Sequence, residues 1–182
     1  MMFKSKFILQ NTTDYAPLKS RWFFDLSVKD DKKTKQNGLF TNEKIPTGSV
    51  IGLEGGFVVT SVDDVPKGLA YAAKFDEGLF LAPSDYSKLD FLAYLNHSCD
   101  SNVARIGGLL YIAKKDIPAG GELTIDYAPL VTDVENWKLE CLCGVKSCRK
   151  TITSDDWKNS AIAKKLWNEW LPYVQKKILG AS

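Results

Sequence analysis

Cys141-Leu142-Cys143-Gly144-Val145-Lys146-Ser147-Cys148, taken with Asn96-His97-Ser98-Cys99 upstream, contains all four cysteines of the chain. Two thiols flanking a single residue, with a third a short loop away, can wrap around one Zn²⁺, but tetrahedral zinc takes a fourth ligand. Cys99 is the one thiol left. If it closes the site, the C-terminal segment is tied back onto the middle of the chain and roofs whatever lies beside Asn96. Four thiolates leave no position open for water, so the metal is expected to be structural. Two disulfides would use the same thiols, but no signal peptide points to an oxidising compartment.

Composition narrows the function classes. At 182 residues the chain suits one compact domain with an added terminal element. A hydrophobic content of 45% with 25% charged residues is that of a globular protein. The 24 basic and 22 acidic side chains are spread along the chain, so the concentrated basic footprint of a nucleic-acid binder is missing and no direct nucleic-acid contact is expected. The densest basic cluster, 29–35, also holds Asp30 and Asp31 and reads as a solvated loop. Nothing approaches the roughly 18 apolar residues of a membrane span. The expectation is an intracellular protein, cytoplasmic or nuclear, with no membrane partner.

Short apolar runs at 22–28, 38–41, 50–53, 57–60, 79–81, 109–113 and 123–127 are punctuated by Gly, Pro, Asp or Asn, the pattern of a sheet-rich fold. The run at 89–95 is either a strand or a short helix, since periodicity cannot decide over so few residues. Ile45-Pro46-Thr47-Gly48 and Ile117-Pro118-Ala119-Gly120 repeat one turn format, proline presetting φ and glycine supplying a positive one. Ser154 followed by Asp155 and Asp156 resembles an N-cap and predicts a helix to about residue 170, with Trp157, Leu166, Trp167 and Trp170 on a face packed against the domain. Pro172 and Gly180 bracket a second, shorter helix.

Three stretches matter together: Asn37-Gly38-Leu39-Phe40-Thr41, then 94–102 around Asn96-His97-Ser98-Cys99, then Gly121-Glu122-Leu123-Thr124-Ile125-Asp126-Tyr127. In that order, followed by the cysteine cluster, they resemble the SET-domain protein lysine methyltransferases with a post-SET zinc segment, over residues 20–150. The resemblance implies a mainly β fold (α+β minor) of small curved sheets in which the 96–99 and 126–127 segments cross as a pseudoknot. It divides the chain into an N-terminal arm or edge strand at 1–20, a SET domain at 21–130, a post-SET zinc segment at 131–150 and a C-terminal helical extension at 151–182.

The same resemblance implies function. S-adenosylmethionine would lie along Gly38, Leu39 and Phe40, with Asn96 on its amino-acid portion and the His97 backbone on its adenine. Leu142 would cover it or line the lysine channel, and Trp137 would stack on it. Zn²⁺ would be held by Cys99, Cys141, Cys143 and Cys148. Tyr127 is the expected catalytic residue, with Ile125 beside it in the substrate channel. The implied reaction moves methyl groups to a lysine of a protein or peptide, a histone or another protein. A catalytically weak SET-like module that binds a peptide or chromatin stays open as the alternative.

Several positions depart from the family pattern. Gln36, Ser101, Gly121 and Lys150 replace a glycine, a proline, an acidic residue and a glycine, and Glu54 stands where many members carry a tyrosine. Tyr71, Tyr86, Tyr94 and Tyr111 are candidates to supply the missing hydroxyl. Ile125 occupies a position where Phe or Tyr often limits methylation, so more than one methyl transfer is expected.

Overall fold

The structure, a computed structural model, describes residues 18–31, 36–61, 73–85 and 89–180. Most of the expected N-terminal arm, with Tyr71 and Tyr86, lies outside the described residues. Short strands dominate: β1 (Arg21–Trp22), β2 (Leu26–Asp31), β3 (Gln36–Thr41), β4 (Val50–Leu53), β5 (Phe57–Val59), β6 (Ala73–Asp76) and β7 (Leu79–Ala82). They continue as β8 (Asn96–His97), β9 (Val103–Ile106), β10 (Leu110–Ala113), β11 (Glu122–Ile125), β12 (Lys138–Glu140) and β13 (Thr151–Thr153). The α-helices are short: α1 (Ala128–Val131), α2 (Ser160–Lys165) and α3 (Pro172–Ile178).

One sheet runs β1-β4-β10-β9-β11-β3-β2 with β8 also on β11, a second runs β5-β7-β6, and β12 pairs with β13. The single strand expected over 22–28 is two, because β1 pairs with β4 while β2 pairs with β3, and one straight segment cannot serve both partners. The 89–95 run resolves into a 3-10 turn, Phe91–Tyr94, whose opening amide donates to the Asp90 side chain. Asp90 also accepts from the Trp22 indole at 2.9 Å, fixing this turn against β1.

The feature that positions the site is the path of β11. It pairs in parallel with β8, Thr124 opposite Asn96 and Ile125 opposite His97, and in parallel with β9, Ile125 opposite Val103. Since β8 and β9 are consecutive in the chain, the loop between them passes around β11: this is the crossing that the resemblance implied. Asn102 holds it there, donating to the Glu122 carbonyl at 2.7 Å and accepting from the Thr124 amide at 2.8 Å, as a neighbouring strand would. Leu123 and Ile125 are 0% and 2% exposed in a core with Leu39, Ile51, Val103 and Ile117. Burial of side chains of that size contributes about 1.5–3 kcal/mol each.

The two Ile-Pro-x-Gly turns meet each other. Ile45 and Ile117 exchange backbone hydrogen bonds at 2.9 Å in each direction, and Gly48 and Gly120 take φ of +81° and +77°. At Gly121 a Cβ would lie 2.8 Å from the Pro118 carbonyl oxygen, so a side chain there would force this turn to shift. Lys150, in place of a glycine, is held at φ +66°.

The C-terminal helix expected to start at Ser154 is broken. Asp156 accepts from both the amide and the hydroxyl of Thr153, closing a 3-10 turn at Asp156–Lys158, and α2 starts afresh with Asn159 accepting from the amides of Ala161 and Ile162. A polar side chain that captures nearby backbone groups ends one element and caps the next. Of the expected aromatic face, Trp157, Leu166 and Trp170 pack inward, while Trp167 is half-buried and lines a surface pocket. Trp170 is 2% exposed, donates its indole N–H to Ala163, and shares a second core with Leu166, Val174, Ile152, Cys99 and Cys141.

Candidate active site and metal centre

Crossing β8 and β11 brings Asn96, His97, Glu122 and Tyr127 together, with Gly38 of β3 against Asn96 and Glu122. Asn96 Nδ2 donates to Glu122 Oε1 at 2.9 Å and to the Asn37 carbonyl at 3.4 Å. Both amide protons are thereby used inward, leaving Oδ1 as the group that can accept from a ligand. Gly38 is buried, and a Cβ on it would lie 2.8 Å from Glu122 Oε1 and 3.1 Å from Asn96 Nδ2. A larger residue on β3 would push this carboxylate and amide out of their present positions. Leu39 belongs to the core, while Phe40 is half-buried with Lys29 Nζ 5.8 Å from its ring centre.

Tyr127 follows directly on β11. Its hydroxyl donates to the Leu95 carbonyl at 2.8 Å, and its amide donates to His97 Nδ1 at 3.1 Å. Burial, and then the negative charge of Glu122, push the phenol above its usual range. The side chain is therefore a neutral hydroxyl at physiological pH, its proton committed to a backbone carbonyl and its lone pairs free. Ile125 lies 2% exposed in the core, opposite both His97 and Val103.

Behind this group the thiols converge. A ring nitrogen of His97 and the sulfurs of Cys99, Cys141 and Cys143 all lie within 4.8 Å of one another, and His97 Nε2 is 3.3 Å from the Cys99 sulfur. The Cys99 and Cys141 sulfurs are 3.7 Å apart. That matches the edge, about 3.8 Å, of a tetrahedron with Zn–S bonds of about 2.3 Å. Cys148, the remaining thiol expected in the site, is outside that tightest group but interacts with the thiols of Cys141 and Cys143. Its sulfur is 3.6 Å from the Cys141 carbonyl oxygen. The amides of Arg149 and Lys150 point at the sulfurs of Cys99 and Cys148, each at 3.4 Å, the outer support that thiolate ligands commonly have. The donor set suits a closed tetrahedral zinc site. The sequence motif did not show His97 approaching it, because the motif says nothing about which way the ring turns.

Arg149 also reaches past the thiols to Asp126, 1% exposed, at 2.6 Å. Lys165 of α2 donates to the Cys99 carbonyl, and Lys114 bridges Ser101 to Glu169. The C-terminal extension thus grips the loop that surrounds β11. Trp137 is half-buried against the second core and lines an open groove of about 720 Å³ with Asp133, Asn136, Lys138 and Thr153. Leu142 is 72% exposed beside the thiols.

Glu54 takes up one of the proposed hydroxyls. Glu54 Oε2 accepts from Tyr111 at 2.8 Å and from Arg105 Nε at 3.0 Å, all three residues being buried. Arg105 Nη1 donates onward to the Lys74 carbonyl of β6, tying the small sheet to the large one. Tyr94 lies in the 3-10 turn, half-buried against the first core.

The SET domain family model matches residues 36–128, just over half of the sequence, and the chain belongs to that family. Over 67 residues it is 45% identical to a probable histone-lysine N-methyltransferase, set-23, of Caenorhabditis briggsae, covering 32% of this chain and 27% of that protein. Over 78 residues it is 41% identical to the H3 lysine-9 specific histone-lysine N-methyltransferase KMT1 of Fusarium mangiferae, covering 32% and 22%. The chain spans about a quarter of the length of these relatives. In structure it is similar to KRYPTONITE in complex with mCHH DNA, an H3(1-15) peptide and SAH, with a TM-score of 0.56 and 26% identity over 73% of this chain and 30% of that one.

Proposed function

We propose that the chain is an S-adenosylmethionine-dependent protein-lysine N-methyltransferase with a structural zinc site. The observation that carries this reading is the passage of β11 through the loop between β8 and β9, which sets His97 beside Tyr127 and Asn96 against Gly38. S-adenosylmethionine would supply the methyl group. Gly38, Leu39 and Phe40 would flank it by backbone, Asn96 Oδ1 would accept from its amino group, the His97 backbone would meet its adenine, and Trp137 and Leu142 would close over it. Cys99, Cys141, Cys143 and Cys148 would hold the metal and fix the segment after α1 against this pocket. Residues 21–130 form the SET unit in this reading, with the post-SET segment at 131–150 and the helical extension at 151–182.

Tyr127 does not act as a base. Its phenol is held protonated, and what it offers the acceptor is a fixed oxygen whose lone pairs orient an amine or a polarised methyl group. A free lysine at pH 7 is about a thousandfold depleted in its neutral form, a cost of roughly 4 kcal/mol. An apolar channel lowers that cost by disfavouring the ammonium, and alignment contributes the rest. Ile125 beside Tyr127 presents no hydroxyl, which favours products beyond monomethyl-lysine. Lysine in a protein or peptide is the substrate class, histones included. The relatives' names and the H3 peptide bound by KRYPTONITE support it. No nucleic acid is assigned to this chain, the DNA of that complex being KRYPTONITE's. Among the described residues no helix is long and apolar enough to cross a membrane, and an intracellular setting, the nucleus included, fits the substrates proposed.

Methyl-labelled S-adenosylmethionine mixed with histones and a whole-cell protein extract tests the reading. Label on lysine is expected for the native chain and about 100-fold less for Tyr127→Phe, the loss that misplacing a reacting group brings. No label from the native chain with either substrate source would refute the enzyme and leave a binding module.

A further inference from the structure

The geometry assigns His97 a role beyond its backbone. We infer that its imidazole is a positioning residue locked in one tautomer, Nε2–H on the Cys99 sulfur and bare Nδ1 on the Tyr127 amide, so that the occupied thiolate site sets the backbone of Tyr127. This rests on reading the four thiols as the metal site and Tyr127 as the active-site tyrosine.

The argument starts at the end of β11. Ile125 is the last residue of that strand paired in the sheet, opposite His97. The amide of Tyr127, two residues on, lies beyond the strand pairing, and a partly buried N–H is stabilised by an acceptor. It finds His97 Nδ1 at 3.1 Å. A neutral imidazole carries one proton, so a ring whose Nδ1 accepts must carry it on Nε2. Because Nδ1 accepts from the amide it carries no proton, so the ring is in its neutral form. Nε2 lies 3.3 Å from the Cys99 sulfur, a distance that an N–H donor to sulfur satisfies.

The same assignment settles which of five converging groups stays out of a tetrahedral site. A protonated Nε2 has no lone pair for a metal, so the closed set is the four thiols, Cys148 included, and His97 supports Cys99 from outside as the Arg149 amide does. The ring also lies against the Tyr127 ring, centres 5.2 Å apart, so it restrains that residue by contact as well as by hydrogen bond. The strap therefore runs from Cys99 through His97 to Tyr127 and ends where the Tyr127 hydroxyl meets Leu95.

His97 is the only histidine in the chain, so its ring signals are unambiguous. In ¹⁵N-labelled protein loaded with ¹¹³Cd, the long-range ¹H–¹⁵N spectrum should show a protonated Nε2, an unprotonated Nδ1 and no cadmium coupling to the ring. A protonated Nδ1, or coupling between cadmium and Nε2, would overturn the assignment. Hydrogen exchange tests the second half. The Tyr127 amide should be protected in the loaded protein and should exchange faster, on the order of tenfold, both in His97→Ala and after chelation, ahead of the Leu39 and Val103 amides of the core. His97→Ala should still bind one metal ion per chain. A variant that keeps its metal and its Tyr127 protection would refute the strap, and if it fails to fold, the tautomer and the chelation series on the native chain decide the matter. Neither readout needs turnover, so a chain that shows the strap and transfers no methyl group would refute the proposed function and leave this inference standing.

Discussion

Replacing Glu54 with alanine should be among the most damaging single changes outside the metal site. The side chains of Arg105 and Glu54 are only 4% and 9% exposed. Without the carboxylate, the guanidinium keeps the Lys74 carbonyl as an acceptor at 3.1 Å. Its Nη2, 2.9 Å from Glu54 Oε2 but off the hydrogen-bond direction, would lose the carboxylate's charge. Breaking a buried pair from one side costs roughly 3–5 kcal/mol. Tyr111, 4% exposed, also loses its acceptor, which adds about 1–3 kcal/mol where water cannot enter. Together these come to about 4–8 kcal/mol, and for a chain of this size each kcal/mol moves Tm by about 2–4 °C, so a drop of at least about 8 °C, and up to about 30 °C, is expected in calorimetry or circular dichroism. The double variant Glu54→Leu with Arg105→Leu should recover most of it, because a buried pair replaced by apolar groups is often neutral. Single variants melting within about 2 °C of the parent, or a double variant as unstable as the two singles added together, would refute the account.

Lys150→Gly should stabilise the chain by about 1 kcal/mol in denaturant titration, since lysine is held at φ +66° where glycine carries no Cβ penalty. Cys148→Ser should lose stoichiometric zinc, whereas retention of one tightly bound ion would make His97 the fourth ligand. Glu169, its side chain 6% exposed with Oε1 on Lys114 at 2.6 Å, is raised by burial above its ordinary 4.5, Lys114 opposing. A raised acid binds its proton more tightly folded than unfolded, so its contribution to stability falls as pH rises from 4.5 through the folded value. The stability of Glu169→Gln relative to the parent should therefore improve between pH 4.5 and 7, and a pH-independent difference would exclude that titration.

Much of the chain was legible without coordinates because its signals are local. The strand at Val50–Leu53 appears with the bounds its Val, Ile and flanking glycine imply, and the twin Ile-Pro-x-Gly turns are turns because proline and glycine dictate φ wherever they stand. The ordered set of Asn96 to Cys99, Glu122 to Tyr127 and the cysteine cluster carried the family, since each motif presents a fixed donor type at a fixed spacing. Where local signals compete, they misled. Ser154 looks like a helix cap, but Asp156 and Asn159 capture the same backbone more effectively, and the helix breaks.

What tertiary structure alone decided is direction and partnership. Nothing in Glu54 says that it will meet Arg105 and Tyr111, because those residues are far apart in the chain and only the alignment of β4, β9 and β10 brings their side chains to one face. The amide orientation of Asn96 depends on Glu122, and the tautomer of His97 depends on the Tyr127 amide. Both are consequences of β11 passing through a loop. A sequence specifies which groups can donate and accept. Which of them face each other is settled when the chain crosses itself and each buried polar atom must find its partner.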